Sequence, residues 1–160
     1  MTADAFTRLT AQNGPVRLAV ERGPGEGEPL LLVMGLGMQM HFWPDGLLVR
    51  FAERGFATAR FDNRDVGCST HLRERGAPGL VALLATPRRV APYRISDMAG
   101  DAVAVLDALG WDSAHVVGAS MGGMIAQALA IEHPERVRSL TSIMSTPSPW
   151  GGRSAATVWT

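Results

Sequence analysis

A chain of 160 residues is long enough for one domain, in which about 68–70% of the unfolded surface is buried. Its 46% hydrophobic and 19% charged residues exclude a disordered chain, and fifteen arginines balanced by fifteen acids leave no net field to recruit nucleic acid or an anionic membrane. Lysine is absent, which removes Schiff-base and lysine general-base chemistry, and Cys68, the single cysteine, excludes an intrachain disulfide or multi-cysteine metal site.

Met1 to Ala5 lacks the basic start and apolar run of a signal peptide, and no apolar run reaches a membrane span, so a cytoplasmic location is expected. In chain order, Phe6–Thr10 and Val16–Val20 read as strands joined through Asn13-Gly14-Pro15, a connection longer than the tightest hairpin turns. The stretch from Glu21 to Pro29 is rich in breakers and reads as a loop. Leu30 to Met34 is wholly apolar, as a central strand covered on both faces requires.

A helix from about Leu47 to Arg54 follows, with Gly55 placed to end it. Phe56–Phe61 reads as a strand, and Asp62 to Ser69 as the polar loop at its carboxyl end. Residues 70 to 94 read as a loop with at most one short helix. Ser96 is expected to cap a helix with Met98, Ala99, Ala102, Val103, Leu106 and Leu109 on one face, closed by Gly110. Ala114–Val117 is then a buried strand, the run from Ser120 to about His133 a helix ended by Pro134, and Val137–Ile143 a further apolar strand. Strands alternating with helices predict an α/β fold, a mostly parallel sheet with helices on both faces, with ligands bound at the carboxyl ends of its strands.

One stretch carries chemistry. Gly118-Ala119-Ser120-Met121-Gly122 joins a predicted strand to a predicted helix, and glycines on both sides let the two approach closely in a strained turn that exposes the serine hydroxyl. In this context Gly-x-Ser-x-Gly reads as a nucleophile elbow with Ser120 as nucleophile, against the plainer reading of a structural turn. The Met121 amide, at the positive end of the helix, is a natural oxyanion donor.

With Met34-Gly35-Leu36-Gly37, the loop Phe61-Asp62-Asn63-Arg64-Asp65-Val66-Gly67-Cys68-Ser69 and His115 to Gly122 added, the sequence resembles the α/β hydrolase family, and most of all its aclacinomycin methylesterase-like carboxylic ester hydrolases. The resemblance implies Leu36 as the second oxyanion donor, with Met34 standing where many members carry histidine. It also implies a small-molecule ester substrate and no cofactor or metal. Gly35-x-Gly37 lacks the third glycine of a dinucleotide fingerprint, Met40 occupying its place.

Neighbouring residues carry plainer readings. Asp62 and Asp65 are either acids of a site or, on the stronger reading, parts of a capped turn paired with Arg64. Phe42 and Trp43 either wall an acyl pocket or pack under the first helix, and Cys68 reads as a small inert residue.

A base is missing. Family members follow the serine with an acid and then a histidine, whereas after Ser120 this chain has only Glu132, Glu135 and His133. His133 lies thirteen residues along the same helix, roughly 20 Å away at about 1.5 Å per residue. His115 lies about 16 Å back along its strand, and His41 and His71 sit in loops on the carboxyl side of the sheet. The resemblance therefore implies that residues 1–160 form the amino-terminal part of one domain whose lid and later strands, with the acid and the histidine, lie elsewhere, and that Val137–Ile143 is left as an edge open to self-association. Two further readings stay open: a non-catalytic binding or scaffold module on this fold, and acyl transfer or cofactor-free perhydrolysis in a complete protein.

Overall fold

The computed structural model describes residues 6–72 and 93–147. Nine main elements follow one another in it: β1 (Thr7–Asn13), β2 (Val16–Arg22), β3 (Glu28–Val33), α1 (Asp45–Ala52), β4 (Phe56–Phe61), α2 (Ile95–Leu109), β5 (Ala114–Ala119), α3 (Met121–Glu132) and β6 (Val137–Ile143). Short 3-10 turns at Met40–Phe42 and Pro134–Arg136 precede α1 and β6. The strands form one six-stranded sheet in the order β1-β2-β4-β3-β5-β6. Only the first two pairings are antiparallel; β4, β3, β5 and β6 run parallel. None of the described helices is long and apolar enough to cross a membrane.

Helices cover both faces, because successive side chains of a strand point to opposite sides. Leu31 and Val33 of β3 join a core with Val105 and Leu106 of α2 and Ile125 and Leu129 of α3. Leu32, between them, packs instead with Leu48 of α1, Trp43, Met34 and Ala119 on the other face. All three β3 side chains are fully buried, as a covered parallel strand demands.

Several local expectations change. The first hairpin is tighter than its sequence suggests: Asn13 pairs with Val16, leaving Gly14-Pro15 as a two-residue connection. Gly14 takes a φ of 55°, which suits the first central position of a primed turn, where proline can follow with its own fixed negative φ. Strand pairing also reaches into the breaker-rich stretch, since Arg22 pairs with Ala59 and Glu28 with Phe56. Helix α1 starts at Asp45, just after Pro44.

Ser96 does not cap α2. That helix starts at Ile95, and the Asp97 carboxylate reaches back to accept a 2.6 Å bond from the Arg94 N–H, the return half of a capping box. Its other end is as expected: Gly110 is left-handed, and the Trp111 and Gly110 amides donate to Leu106 and Asp107. The expectation for residues 70 to 94 falls mostly outside the described residues.

Candidate active site

Strands β3 and β5 pair so that Val33 lies opposite Gly118, and the loops that follow them leave the sheet side by side at its carboxyl edge. Ser120 sits at this edge, between β5 and α3, with φ 55° and ψ −123°. An L-residue with a side chain avoids this conformation, at a cost on the order of 1–3 kcal/mol, unless the surroundings impose it. They do so here through close backbone packing. A Cβ on Gly118 would stand 2.5 Å from the Gly122 carbonyl carbon, and one on Gly122 would stand 2.8 Å from the Met34 oxygen. The Ser120 amide donates to the Ile143 carbonyl at 2.9 Å, and its carbonyl accepts from Gly123 at 2.9 Å, so the turn is pinned on both sides.

A serine before a helix ordinarily spends its hydroxyl on capping. Ser120 makes no side-chain capping bond and is exposed. Met121 is the first residue of α3, so its amide is one of the four that have no carbonyl partner within the helix. From the other side, Gly35 approaches so closely that a Cβ there would lie 3.1 Å from the Ser120 Cβ and 3.5 Å from its Oγ. Leu36, the next residue, is 42% exposed on the same loop.

That loop is held by Asn63, which carries no expectation from the sequence, and by Asp62 in a role other than either expected. The Asn63 amide Nδ2 donates to the Met34 carbonyl at 2.8 Å, and the Asp62 carboxylate accepts from the Met40 and Cys68 amides at 2.8 and 3.0 Å. The hydroxyl of Ser69 donates to the Asp62 carbonyl at 2.6 Å. Asp62 is therefore a buried backbone organiser and does not pair with Arg64. Arg64 instead forms a two-toothed pair with Asp101 of α2, at 2.6 and 2.7 Å, with Asn13 donating to the same carboxylate at 2.8 Å. Burial works to lower the Arg64 pKa, but the hydrogen bonds and charge of Asp101, joined by Asp97, outweigh it, so the guanidinium is held more firmly charged than usual. Asp65, at φ 64°, accepts from the Leu72 amide at 2.5 Å. A polar residue two positions after a parallel strand was the available signal for Asn63; its partner could not be read from spacing.

The two aromatic residues divide their roles. Trp43 is buried in the core beneath α1, whereas Phe42 is 60% exposed. Cys68 is exposed, with its amide held by Asp62.

Among the described residues none of the four histidines is bonded to the Ser120 hydroxyl. His115 contacts the Ser139 hydroxyl at 2.7 Å and packs edge-on to Phe56, whose partner in the sheet is Glu28, the first residue of β3. That is the amino end of the parallel strands, opposite the serine. His133, past the end of α3, lies 3.9 Å from Glu135, and His71 contacts the Gly67 carbonyl at 3.1 Å. His41 gathers with Glu21 and Asp45, their ligand atoms within 4.8 Å of one another. This cluster does not suit a metal ion, because the buried Arg60 guanidinium already bonds both Glu21 and Asp45 and places a fixed positive charge where the ion would sit.

With the elbow and its flanking loop in place, the comparison with known proteins decides the family: the profile for the alpha/beta hydrolase fold matches residues 28–154. The chain belongs to the α/β hydrolase fold family. It is 37% identical over 116 residues to rhodomycin D methylesterase DauP of Streptomyces sp. (strain C5), a match covering 72% of this chain and 34% of that protein. It is 33% identical over 127 residues to the proposed carbamate hydrolase RutD of Variovorax paradoxus (strain S110), covering 79% of this chain and 41% of that one. Among solved structures, Est816, described as an N-acyl homoserine lactone degrading enzyme, superposes with a TM-score of 0.68 at 29% identity, covering 86% of this α/β hydrolase chain and 45% of Est816. The chain thus spans between about a third and just under half of the length of these relatives.

Proposed function

We propose that this chain carries the nucleophile half of a serine hydrolase acting on small carboxylic esters. Ser120 attacks the ester carbonyl, the amides of Leu36 and Met121 receive the developing oxyanion, and water resolves the acyl-enzyme. The observation that carries this reading is the strained Ser120 backbone with a hydroxyl withheld from capping its own helix. The relatives named for ester and carbamate hydrolysis support the reaction class.

Activation of Ser120 requires a base, and among the described residues no histidine is bonded to its hydroxyl. In this reading the base and its acid come from residues beyond the 160, so the chain by itself turns over little or no ester. Steady hydrolysis of a p-nitrophenyl ester by the 160-residue chain, lost in Ser120→Ala, would overturn that expectation.

A second reading rests on the want of a base bonded to Ser120 among the described residues: a binding or scaffold module on the same fold. Ligand binding that survives Ser120→Ala, with no labelling by a fluorophosphonate, selects it. Acyl transfer and perhydrolysis share the acyl-enzyme and differ in the acceptor, so product analysis with competing acceptors separates them from hydrolysis.

A further inference from the structure

We infer that Asn63, with Asp62 beside it, is a positioning residue that sets the oxyanion loop from its two ends. The inference rests on the reading of Leu36 as an oxyanion donor and names what aims that donor. The loop from Met34 to Met40 is poorly held by itself. It contains Gly35 and Gly37, the latter at φ 69°, and its internal backbone bond from Met38 to Gly35 is long, at 3.3 Å. Leu36, at its tip, is exposed. The direction of the Leu36 N–H therefore depends on how the loop is anchored.

Both anchors come from consecutive residues at the carboxyl end of β4, the strand beside β3. Asn63 Nδ2 holds the Met34 carbonyl at 2.8 Å, at the loop's start, and Asp62 Oδ1 holds the Met40 amide at 2.8 Å, at its end. Asp62 is fixed in turn: its N–H donates to the Ala19 carbonyl at 3.0 Å, its carbonyl accepts from Ser69, and its second carboxylate oxygen accepts from Cys68. Gly67 leaves room for that carboxylate, since a Cβ there would lie 2.6 Å from the Asp62 Cγ.

The Met34 carbonyl sits at the contact between loop and elbow, where it would meet a Cβ on Gly122 at 2.8 Å. A hydrogen bond on this oxygen fixes the Met34-Gly35 peptide plane, and with it the path into Leu36. Asn63 is buried to 1% exposure, and among the described residues its Oδ1 has no partner. A buried amide used on its donor side alone is a net cost to folding. Its observed use is the single bond to Met34.

The test uses the 160-residue chain, with fluorophosphonate labelling of Ser120 followed by intact mass and peptide mapping. The phosphonyl oxygen occupies the position of the oxyanion, so labelling reads the hole even where turnover is absent. Asn63→Leu conserves volume without the donor, and Asn63→Ala avoids overpacking. The limiting labelling rate is expected to fall by about 10²-fold, the effect of a misplacement on the order of 1 Å, with the half-saturating probe concentration unchanged and the unfolding transition still cooperative. A folded variant labelled at the wild-type rate overturns the inference. If the wild-type chain is not labelled at Ser120, as a serine without a base allows, the anchor is judged by amide exchange alone. Exchange at Leu36 and Met38 that accelerates at least about tenfold in either variant, against unchanged exchange in β3, supports it; equal exchange overturns it.

Discussion

A serine at φ 55° and ψ −123° is under backbone strain, and this strain is measurable without any substrate. Ser120→Gly removes it, less the roughly 0.5–1 kcal/mol that glycine's extra unfolded-state freedom costs. Ser120→Gly is therefore expected to unfold at higher denaturant than Ser120→Ala, by about 1 kcal/mol; equal midpoints would mean that the turn stores no strain. The neighbouring glycines were legible as glycines because the pattern demands close approach, but their partners were not: Gly122 meets backbone of β3, which is distant in sequence. Gly122→Ala should fall at the upper end of the ~1–3 kcal/mol cost of overpacking, since the atoms it would strike are backbone and cannot rotate away. A second residue-scale test lies at Tyr93, the single tyrosine. Burial, then a hydrogen bond and the charge of Asp65, push its phenol well above the ordinary range, against the opposing charge of Arg64 stacked 5.0 Å from its ring. The fold thus favours the protonated phenol: its contribution to stability is intact below the unfolded value of about 10 and is lost as pH rises above it. Absorbance titration should show phenolate appearing later in the native chain than in denaturant, and earlier in Asp65→Asn than in the native chain.

Among the elements, α2 shows best what periodicity reveals and hides. Its apolar face and its closing glycine were legible, because both depend on local spacing. Asp101, on that same face and 1% exposed, had no visible reason to be there, because its partners Arg64 and Asn13 come from the loop after β4 and the end of β1. Arg64 was expected to pair within its own loop and instead reaches the helix, so the loop, the hairpin and α2 are fastened through one carboxylate. Asp101→Ala leaves a buried guanidinium without its counter-charge. This should cost about 3–5 kcal/mol, read as a lowered urea midpoint at unchanged slope; a loss under about 1 kcal/mol would place the pair among the weak, solvent-screened ones. The cap of α2 was misplaced for a related reason, since Ser96 and Asp97 both suit a helix start and only the Arg94 backbone geometry distinguishes them.

At the scale of the whole molecule, the sheet was legible in class because strands separated by helices force parallel pairing, and the site followed from its carboxyl edge. The strand order was not, since nothing local tells β3 to lie between β4 and β5. That order leaves β6 outermost among the described residues. Six of its seven residues are exposed, with Leu140 39% and Ile143 38% accessible, and Met144 just beyond it 84%. Edge strands are commonly guarded by charge, and the one charged residue of β6, Arg138, is turned back to bond Ser113 at 2.9 Å and pair with Glu28. An exposed edge bearing Leu140 and Ile143 is a template for another strand, so the 160-residue chain is expected to self-associate. Sedimentation should show a weight-average mass that climbs with concentration, and Leu140→Lys, which places a charge on the exposed face of β6, should return it towards the monomer. A chain that stays monomeric across the same range would show that the edge is not available for pairing.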